Sequence, residues 1–153
     1  MTIHVDHLLF TAYVATCLVL CTNLLFLWAH SGTVRAQSKL VVNPEDAAVF
    51  KLPQADLDPP AVARVLRAHL NAQATIFPFS LLALLYVLAG GSSAVGIPIF
   101  VLFTGARLAH SLAYLRARQP WRTIAFVLSG LAVIALAVAL IWVIVQGPTG
   151  HTA

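Results

Sequence analysis

Residues 8–29 read LLFTAYVATCLVLCTNLLFLWA, a run without a single charged side chain. A helix of about 20 apolar residues spans the roughly 30 Å hydrocarbon core of a bilayer. The run is too long for the apolar core of a signal peptide and no cleavage-like segment follows it, so we expect a membrane helix in the mature protein. His30, Ser31 and Gly32 mark its predicted end.

The composition of the whole chain agrees with this start. The 153 residues are 60% hydrophobic and only 9% charged, with a mean hydropathy of +0.90, whereas soluble domains have about 25% charged residues. The apolar runs predict an all-α, integral membrane four-helix bundle, one membrane domain spanning residues 1–153. The predicted membrane helices are residues 8–29, 61–89, 94–116 and 121–145, and residues 31–60 form the one substantial loop.

Local signals add detail to this outline. Asn43-Pro44-Glu45-Asp46 has the N-cap residue, the first-turn proline and the acidic first turn of a short helix outside the membrane. Asp58 can cap the second membrane helix, and Pro78 should kink it because proline lacks a backbone N–H. Gly147-Pro148 should end the fourth helix.

All nine lysines and arginines fall at the same end of the predicted bundle. By the positive-inside rule, the loop of residues 31–60 and the turn before the fourth helix should face the cytoplasm. These basic residues flank or enter apolar helices and form no polar surface, so the excess of positive charge does not predict nucleic-acid binding. They are Arg35, Lys39, Lys51, Arg64, Arg67, Arg107, Arg116, Arg118 and Arg122.

Two polar stripes lie within the second and third helices. Arg67 and Asn71 share one face of the second helix, and Arg107, His110 and Tyr114 share one face of the third. Ionisable residues at membrane depth are functional candidates. No Asp or Glu occurs in the last three membrane helices, so an external anion is the simplest partner for Arg67 and Arg107.

The fourth helix opens with Arg122 and Thr123 just after Pro120. Free backbone N–H groups and the positive end of the helix dipole favour an anion there, such as a phosphate, carboxylate or thiolate. The only cysteines of the chain are Cys17 and Cys21, both in the first helix. They are too few for a metal site, and they supply no thiol at the start of the fourth helix. A thiol would have to arrive with a ligand.

Structural roles compete with these functional ones. Headgroup anchoring is the default for Lys39, Arg64, Arg116 and Arg118. Taken singly, His110 is better explained as a satisfied core histidine and Tyr114 as an interfacial aromatic residue.

Three segments together resemble the MAPEG family, membrane-associated proteins in eicosanoid and glutathione metabolism, and most closely its microsomal prostaglandin E synthase branch. These segments are Asn43-Pro44-Glu45-Asp46-Ala47, the stretch from Arg67 to Phe79, and the stretch from Arg107 to Leu115. The resemblance covers nearly the whole chain in order and spacing.

This resemblance implies a homotrimer that binds glutathione as cosubstrate between neighbouring subunits near the cytoplasmic face, with a lipophilic substrate arriving from the membrane lipids. It implies that Arg122 stabilises the glutathione thiolate, that Thr123 supplies the hydroxyl that a serine supplies in the synthase branch, and that Arg107 is a supporting basic residue. The implied glutathione contacts are Arg35, Arg67, Asn71, His110 and Tyr114.

The chain departs from the family pattern at three places. Ala74 stands where the family has a glutamate that faces the glutathione amino group, Leu70 replaces an arginine, and the segment between Tyr114 and Arg122 is one residue shorter than in the synthase branch. Three explanations of Ala74 stay open: an acid of the first loop such as Glu45 or Asp46 substitutes, glutathione binds more weakly, or the ligand lacks an amine.

Two functional hypotheses follow. The first is a glutathione-dependent membrane enzyme of transferase or peroxidase type that acts on a lipophilic electrophile. The second is a non-catalytic protein of the same fold that binds an anionic lipid or metabolite. A pore or transporter is disfavoured because the polar groups lie at one end of the bundle only. A bacterial inner membrane and an endoplasmic reticulum membrane fit equally well.

Overall fold

A computed structural model describes residues 5–146 of the chain. In this range four long helices are each long and apolar enough to cross a membrane, and one short helix lies outside them. The prediction of an all-α integral membrane four-helix bundle is confirmed. Gly147 and Pro148, the predicted end of the last helix, lie outside the described residues. The helices are α1 (His7–Ser38), α2 (Pro44–Phe50), α3 (Pro60–Leu88), α4 (Ser93–Leu115) and α5 (Trp121–Gln146).

The first helix is longer than predicted. It begins after Asp6, whose carboxylate accepts hydrogen bonds from the backbone N–H groups of Leu8 and Leu9, and the bond from Leu9 is the main cause of the lowered pKa of this carboxyl. It continues through Ser31 and Gly32 and ends at Ser38, where Lys39 adopts a left-handed conformation. The predicted end near Ala29 was wrong because one glycine costs a helix only about 1 kcal/mol, and no proline follows before Pro44.

The loop between α1 and α3 is therefore shorter than residues 31–60, and it contains a short helix and a backbone bridge. The short helix predicted at Pro44 is present as α2, although the Asn43 side chain binds the Asp46 carboxylate at 3.1 Å and does not cap the helix backbone. A bridge between Val41 and Gln54 ties the two arms of the loop together.

The predicted cap of the next helix was wrong. Pro59 occupies the N-cap position of α3, and Asp58 instead forms an ion pair with Arg35 at 2.8 Å. The pair joins the end of α1 to the start of α3.

Helices α3 and α4 contact each other and are flanked by α1 and α5, each of which packs against both. Their interface is aromatic: Phe79 stacks on Phe103 with ring centroids 3.7 Å apart and meets Phe100 edge-on at 5.9 Å. Helix α3 runs unbroken through Pro78. On α5 the buried residues are mostly small and spaced three or four apart, so one stripe of that helix faces the core.

The α3–α4 turn closes the end of the bundle that lacks basic residues. The Tyr86 hydroxyl donates to the Ser92 carbonyl at 3.1 Å, and the ring leaves no room for a side chain at Gly91. A Cβ at Gly96 would lie 2.6 Å from Leu9 Cδ1, so the start of α4 packs against the start of α1. The helices alternate in direction, and all nine basic residues consequently lie towards the opposite end.

Candidate functional site

Arg107 is the centre of the polar region. It lies about 12 Å along α4 from the helix end at Leu115, and its side chain is fully buried at 0% exposure. Nη1 donates to Asn71 Oδ1 at 3.1 Å and to Thr75 Oγ1 at 2.9 Å, both on α3. Two neutral groups of the same chain therefore receive the hydrogen bonds of this nitrogen, and an external anion as the partner of Arg107 stays a prediction.

The remaining nitrogens of Arg107 are not satisfied by these contacts. Nε and Nη2 are buried and have no acceptor among residues 5–146. The guanidinium carbon lies 6.0 Å from the ring centroid of Phe126 on α5, within reach of a cation–π interaction. Among residues 5–146, the Arg107 guanidinium thus contacts neutral groups only.

His110 and Tyr114 continue the same face of α4, as their spacing predicts. Their ring centroids are 5.6 Å apart, and the His110 ring lies 6.2 Å from Phe126. His110 is buried, whereas Tyr114 is half-buried and lies nearer the helix end. The two rings connect the Arg107 region to the start of α5.

Arg122 lies beside Tyr114 at that start, with its guanidinium carbon 4.8 Å from the Tyr114 ring centroid. The Gln119 amide, oriented by its neighbours' hydrogen-bonding groups, accepts from Arg122 Nε at 3.2 Å and Nη2 at 2.6 Å and donates to Thr123 Oγ1 at 3.0 Å. Gln119 therefore holds both residues predicted to act on a thiolate.

The backbone at the start of α5 differs from expectation at one position. The Arg122 N–H is not free for an anion, because it donates to the Arg118 carbonyl at 3.2 Å.

Two predicted contact residues lie apart from this group. The Arg35 guanidinium is engaged by Asp58. Arg67 is exposed on α3, one turn before Asn71, and makes no hydrogen bond to the other candidates among the described residues. The structure thus brings together a series of residues on α3, α4 and α5, namely Asn71, Arg107, His110, Tyr114, Arg122 and Thr123.

Three residues of this region were not predicted from the sequence. Thr75 follows Asn71 by one helical turn, and Gln119 precedes Thr123 by one turn, so spacing alone could have pointed to both. Phe126 carried no signal, because an apolar residue in an apolar helix is indistinguishable from a lipid-facing one.

Two apolar grooves flank α4. One, of about 550 Å³, lies between α1 and α4 and contains the buried pair Asn23 and Ser111, whose side chains hydrogen-bond at 3.1 Å. The other, of about 430 Å³, lies between α4 and α5 beside Trp121. Volumes of this order suit small lipophilic molecules.

Comparison with known proteins agrees with this architecture. A family profile described as the MAPEG family matches residues 13–142. The chain belongs to the MAPEG family. Human prostaglandin E synthase is 35% identical over 130 residues, which cover 81% of this chain and 86% of the relative. Mouse microsomal glutathione S-transferase 1 is 34% identical over 129 residues, which cover 79% of this chain and 81% of the relative.

Membership of the MAPEG family makes the departure at Ala74 more informative. Ala74 is exposed on α3, next to the candidate site. In the described part of this MAPEG protein two of the four loop acids are engaged elsewhere, because Asp58 binds Arg35 and Asp46 accepts from Asn43. Glu45 and Asp56 have no side-chain partner among residues 5–146.

Proposed function

We propose that this protein is a glutathione-dependent membrane enzyme of transferase or peroxidase type that acts on a lipophilic electrophile. The observation that supports the proposal is the position of Arg122. Its guanidinium lies over the Tyr114 ring and is held by Gln119. Tyr114 in turn adjoins the polar residues that lead to Arg107 and Asn71. Relatives named as a prostaglandin E synthase and a glutathione S-transferase support it.

The proposed reactions require the site to stabilise a thiolate. A guanidinium beside a thiol favours the deprotonated sulfur, which is the nucleophile. In conjugation the sulfur forms a bond to the electrophilic carbon, and the leaving group departs with the bonding electrons. In peroxide reduction the sulfur takes one peroxide oxygen, the alcohol leaves, and a second glutathione thiol reduces the oxidised sulfur. Arg122 serves both reactions, and the Thr123 hydroxyl is a second donor to the sulfur.

The remaining candidates suit the rest of glutathione. Its two carboxylates are acceptors that match Arg35, Arg67 and Asn71, with His110 and Tyr114 lining the same region and Arg107 supporting it. Since Arg35 and Arg67 lie apart from Arg122 within one subunit, we propose a homotrimer in which neighbouring subunits complete the site. We place that site on the cytoplasmic side, with the lipophile supplied by the bilayer through a groove beside α4.

The test is conjugation of a generic aromatic electrophile with glutathione by the purified protein in detergent. Arg122→Ala should lower kcat by about 100-fold or more, as removal of a preorganised charge-stabilising donor does in other enzymes. Arg118→Ala is the matched control, because this exposed arginine lies one turn earlier and its side chain makes no hydrogen bond to the site residues described above. Its backbone carbonyl, which accepts from the Arg122 N–H, is kept in the variant. Undiminished turnover of Arg122→Ala would remove the role assigned to this residue.

A second function has its own support. The uncompensated guanidinium of Arg107 and the lack of any acid after Asp58 also suit a protein that binds an anionic lipid or metabolite without catalysis. In that case anionic lipids should raise the Tm and glutathione should leave it unchanged.

A further inference from the structure

A buried polar pair lies in the wall of the groove between α1 and α4. Asn23 on α1 and Ser111 on α4 both line this cavity of about 550 Å³, and they are only 7% and 4% exposed. The other lining residues are apolar except Thr22. A polar group without its full set of hydrogen bonds costs free energy in an apolar environment. The unused hydrogen-bonding capacity of the pair therefore indicates what the groove binds.

The hydrogen bond between the two side chains uses only part of that capacity. Asn23 Nδ2 donates to Ser111 Oγ at 3.1 Å, and neither side chain makes a second hydrogen bond in the described part of the chain. The hydroxyls of Thr22 and Thr104, by contrast, donate to the carbonyl one turn earlier in their own helix, at 2.8 and 2.7 Å. The Ser111 proton and the Asn23 amide oxygen are thus without a partner among residues 5–146.

This conclusion does not depend on the direction of the Asn23–Ser111 hydrogen bond, which the positions of the heavy atoms leave undetermined. When the amide donates, its oxygen remains an acceptor and the hydroxyl remains a donor. When the hydroxyl donates, the amide N–H groups remain donors and Oγ keeps its lone pairs. In both cases the pair offers one donor and one acceptor to a third group.

Apolar side chains flank the pair on both sides along the groove. Helices α1 and α4 run in the same direction, and the lining of α1 from Leu18 to Phe26 covers about 12 Å. Leu18 and Leu108 lie towards the end of the bundle without basic residues, and Phe26 and Leu115 lie towards the basic end. A ligand group that bonds to the pair therefore has apolar surroundings on either side.

From this arrangement we infer that the groove between α1 and α4 binds a lipophilic secondary alcohol, whose hydroxyl donates to one member of the Asn23–Ser111 pair and accepts from the other. A hydroxyl both donates and accepts, whereas a ketone or ester carbonyl only accepts and a hydrocarbon does neither. The two apolar substituents of a secondary alcohol match the two apolar parts of the groove. Neither Arg122 nor glutathione takes part, so this site is independent of the proposed function.

Three probes of one carbon skeleton separate these ligand classes: dicyclohexylmethanol, dicyclohexyl ketone and dicyclohexylmethane. Each is titrated, as a mole fraction of the detergent, into the purified wild-type protein without glutathione, and binding is measured from the shift in Tm. We expect the alcohol to bind about tenfold more tightly than the hydrocarbon and about threefold more tightly than the ketone, as one or two hydrogen bonds would give. A ketone that binds as tightly as the alcohol, or no response to the alcohol, would overturn the inference.

Variants of the pair show whether these two residues are responsible. Asn23→Leu and Ser111→Ala should each reduce the preference for the alcohol over the hydrocarbon to about threefold, and the double variant should abolish it. Thr22→Val is the matched control, because Thr22 lines the same groove and its hydroxyl is already bonded to the Leu18 carbonyl. It should keep the full preference.

The same variants test a purely structural role, since hydrogen bonds between membrane helices also stabilise their packing. If the pair only holds α1 against α4, Asn23→Leu and Ser111→Ala would lower the Tm of the protein without ligand and leave the preference for the alcohol unchanged. That result would contradict the binding site. Ser111→Ala removes a single oxygen, so it decides the question even where Asn23→Leu does not fold.

A second copy of the chain is the alternative occupant of this groove. Leu112 lines the groove and is 49% exposed, so the photocrosslinker p-benzoylphenylalanine in place of Leu112 reports what covers the groove in the membrane. We expect adducts with lipid-phase molecules, which dicyclohexylmethanol should reduce. A covalent dimer of the protein would assign the groove to a neighbouring subunit and overturn the inference.

Discussion

At the scale of single residues, the unusual feature is a fully buried arginine whose hydrogen bonds go to uncharged groups. Burying a cation is costly unless it is paired, and Arg107 has only Asn71 and Thr75 as hydrogen-bond partners among the residues described. A positive site of this kind attracts anionic ligands. The Arg107 guanidinium also fixes the orientation of the Asn71 amide, because a guanidinium only donates hydrogen bonds and must face the amide oxygen.

Gln119 gives the residue-scale prediction. Gln119→Ala removes the contacts to Arg122 and Thr123, so the guanidinium should sample more positions and kcat with glutathione should fall by about three- to tenfold, the worth of one hydrogen bond. Steady-state kinetics on the purified protein measure this.

Gln119→Glu is the informative partner variant, because it retains an acceptor for Arg122 and should keep the arginine in position while pairing its charge. We expect it to raise the pKa of the bound thiol, visible as a shift of the rate profile to higher pH. Equal rates in both variants and the wild type would show that Gln119 does not position Arg122.

The sequence predicted several of these residues, but it did not predict which of them contact each other. The i, i+3, i+7 spacing of Arg107, His110 and Tyr114 is a local property of one helix, and the structure places all three on one face. The bond between Arg107 and Asn71 joins residues 36 apart in sequence, and it depends on how α3 and α4 are aligned lengthwise. Spacing within a helix carries no information about that alignment.

At the scale of the elements, α1 and α3 are joined where both reach the basic end of the bundle. The Arg35–Asp58 ion pair is partly exposed, with side-chain exposures of 44% and 24%. Such pairs contribute roughly 0–1 kcal/mol, less at high salt. Its value for folding is therefore small, and Arg35 remains available for a stronger ligand.

Variants of Arg35 and Asp58 distinguish a role in stability from a role in ligand binding. Asp58→Asn should lower the free energy of unfolding by at most about 1 kcal/mol, and it should leave glutathione affinity equal or higher, because Arg35 is released. Arg35→Ala should cost as little in stability but weaken glutathione binding by about tenfold, the loss of one charge-assisted contact. Thermal unfolding and ligand titration of both variants measure the difference. Equal glutathione affinities in the two variants would mean that Arg35 only stabilises the contact between α1 and α3.

The sequence predicted the ends of helices correctly where strong helix-breaking residues occur. The start of α2 and the turn before α4 followed from proline and glycine groups, whereas the end of α1 did not, because a single glycine weakens a helix without ending it. Asp58 was assigned as a cap from its place before two prolines, yet an arginine distant in sequence competes for the same carboxylate.

At the scale of the whole molecule, alternating helix directions gather every lysine and arginine at one end of the bundle. We expect that end to face the cytoplasm. The test replaces Cys17 and Cys21 with alanine and introduces one cysteine at a time, either Ser92→Cys in the exposed α3–α4 turn or Lys51→Cys in the loop. In intact bacterial cells that express the protein in the inner membrane, a membrane-impermeant maleimide should label only Ser92→Cys, and Lys51→Cys only after permeabilisation. The reverse pattern would invert the orientation and the side of the site.

The length of α1 has a consequence for how two reactants meet. Its 32 residues extend about 48 Å, well beyond the roughly 30 Å of hydrocarbon, so its last turns carry the loop with α2 into the aqueous layer. We expect a water-soluble reactant to approach Arg122 from that layer and a lipid-soluble one to approach the grooves beside α4 from within the bilayer. Since separate routes would let each reactant arrive independently, we expect the site to fill in either order.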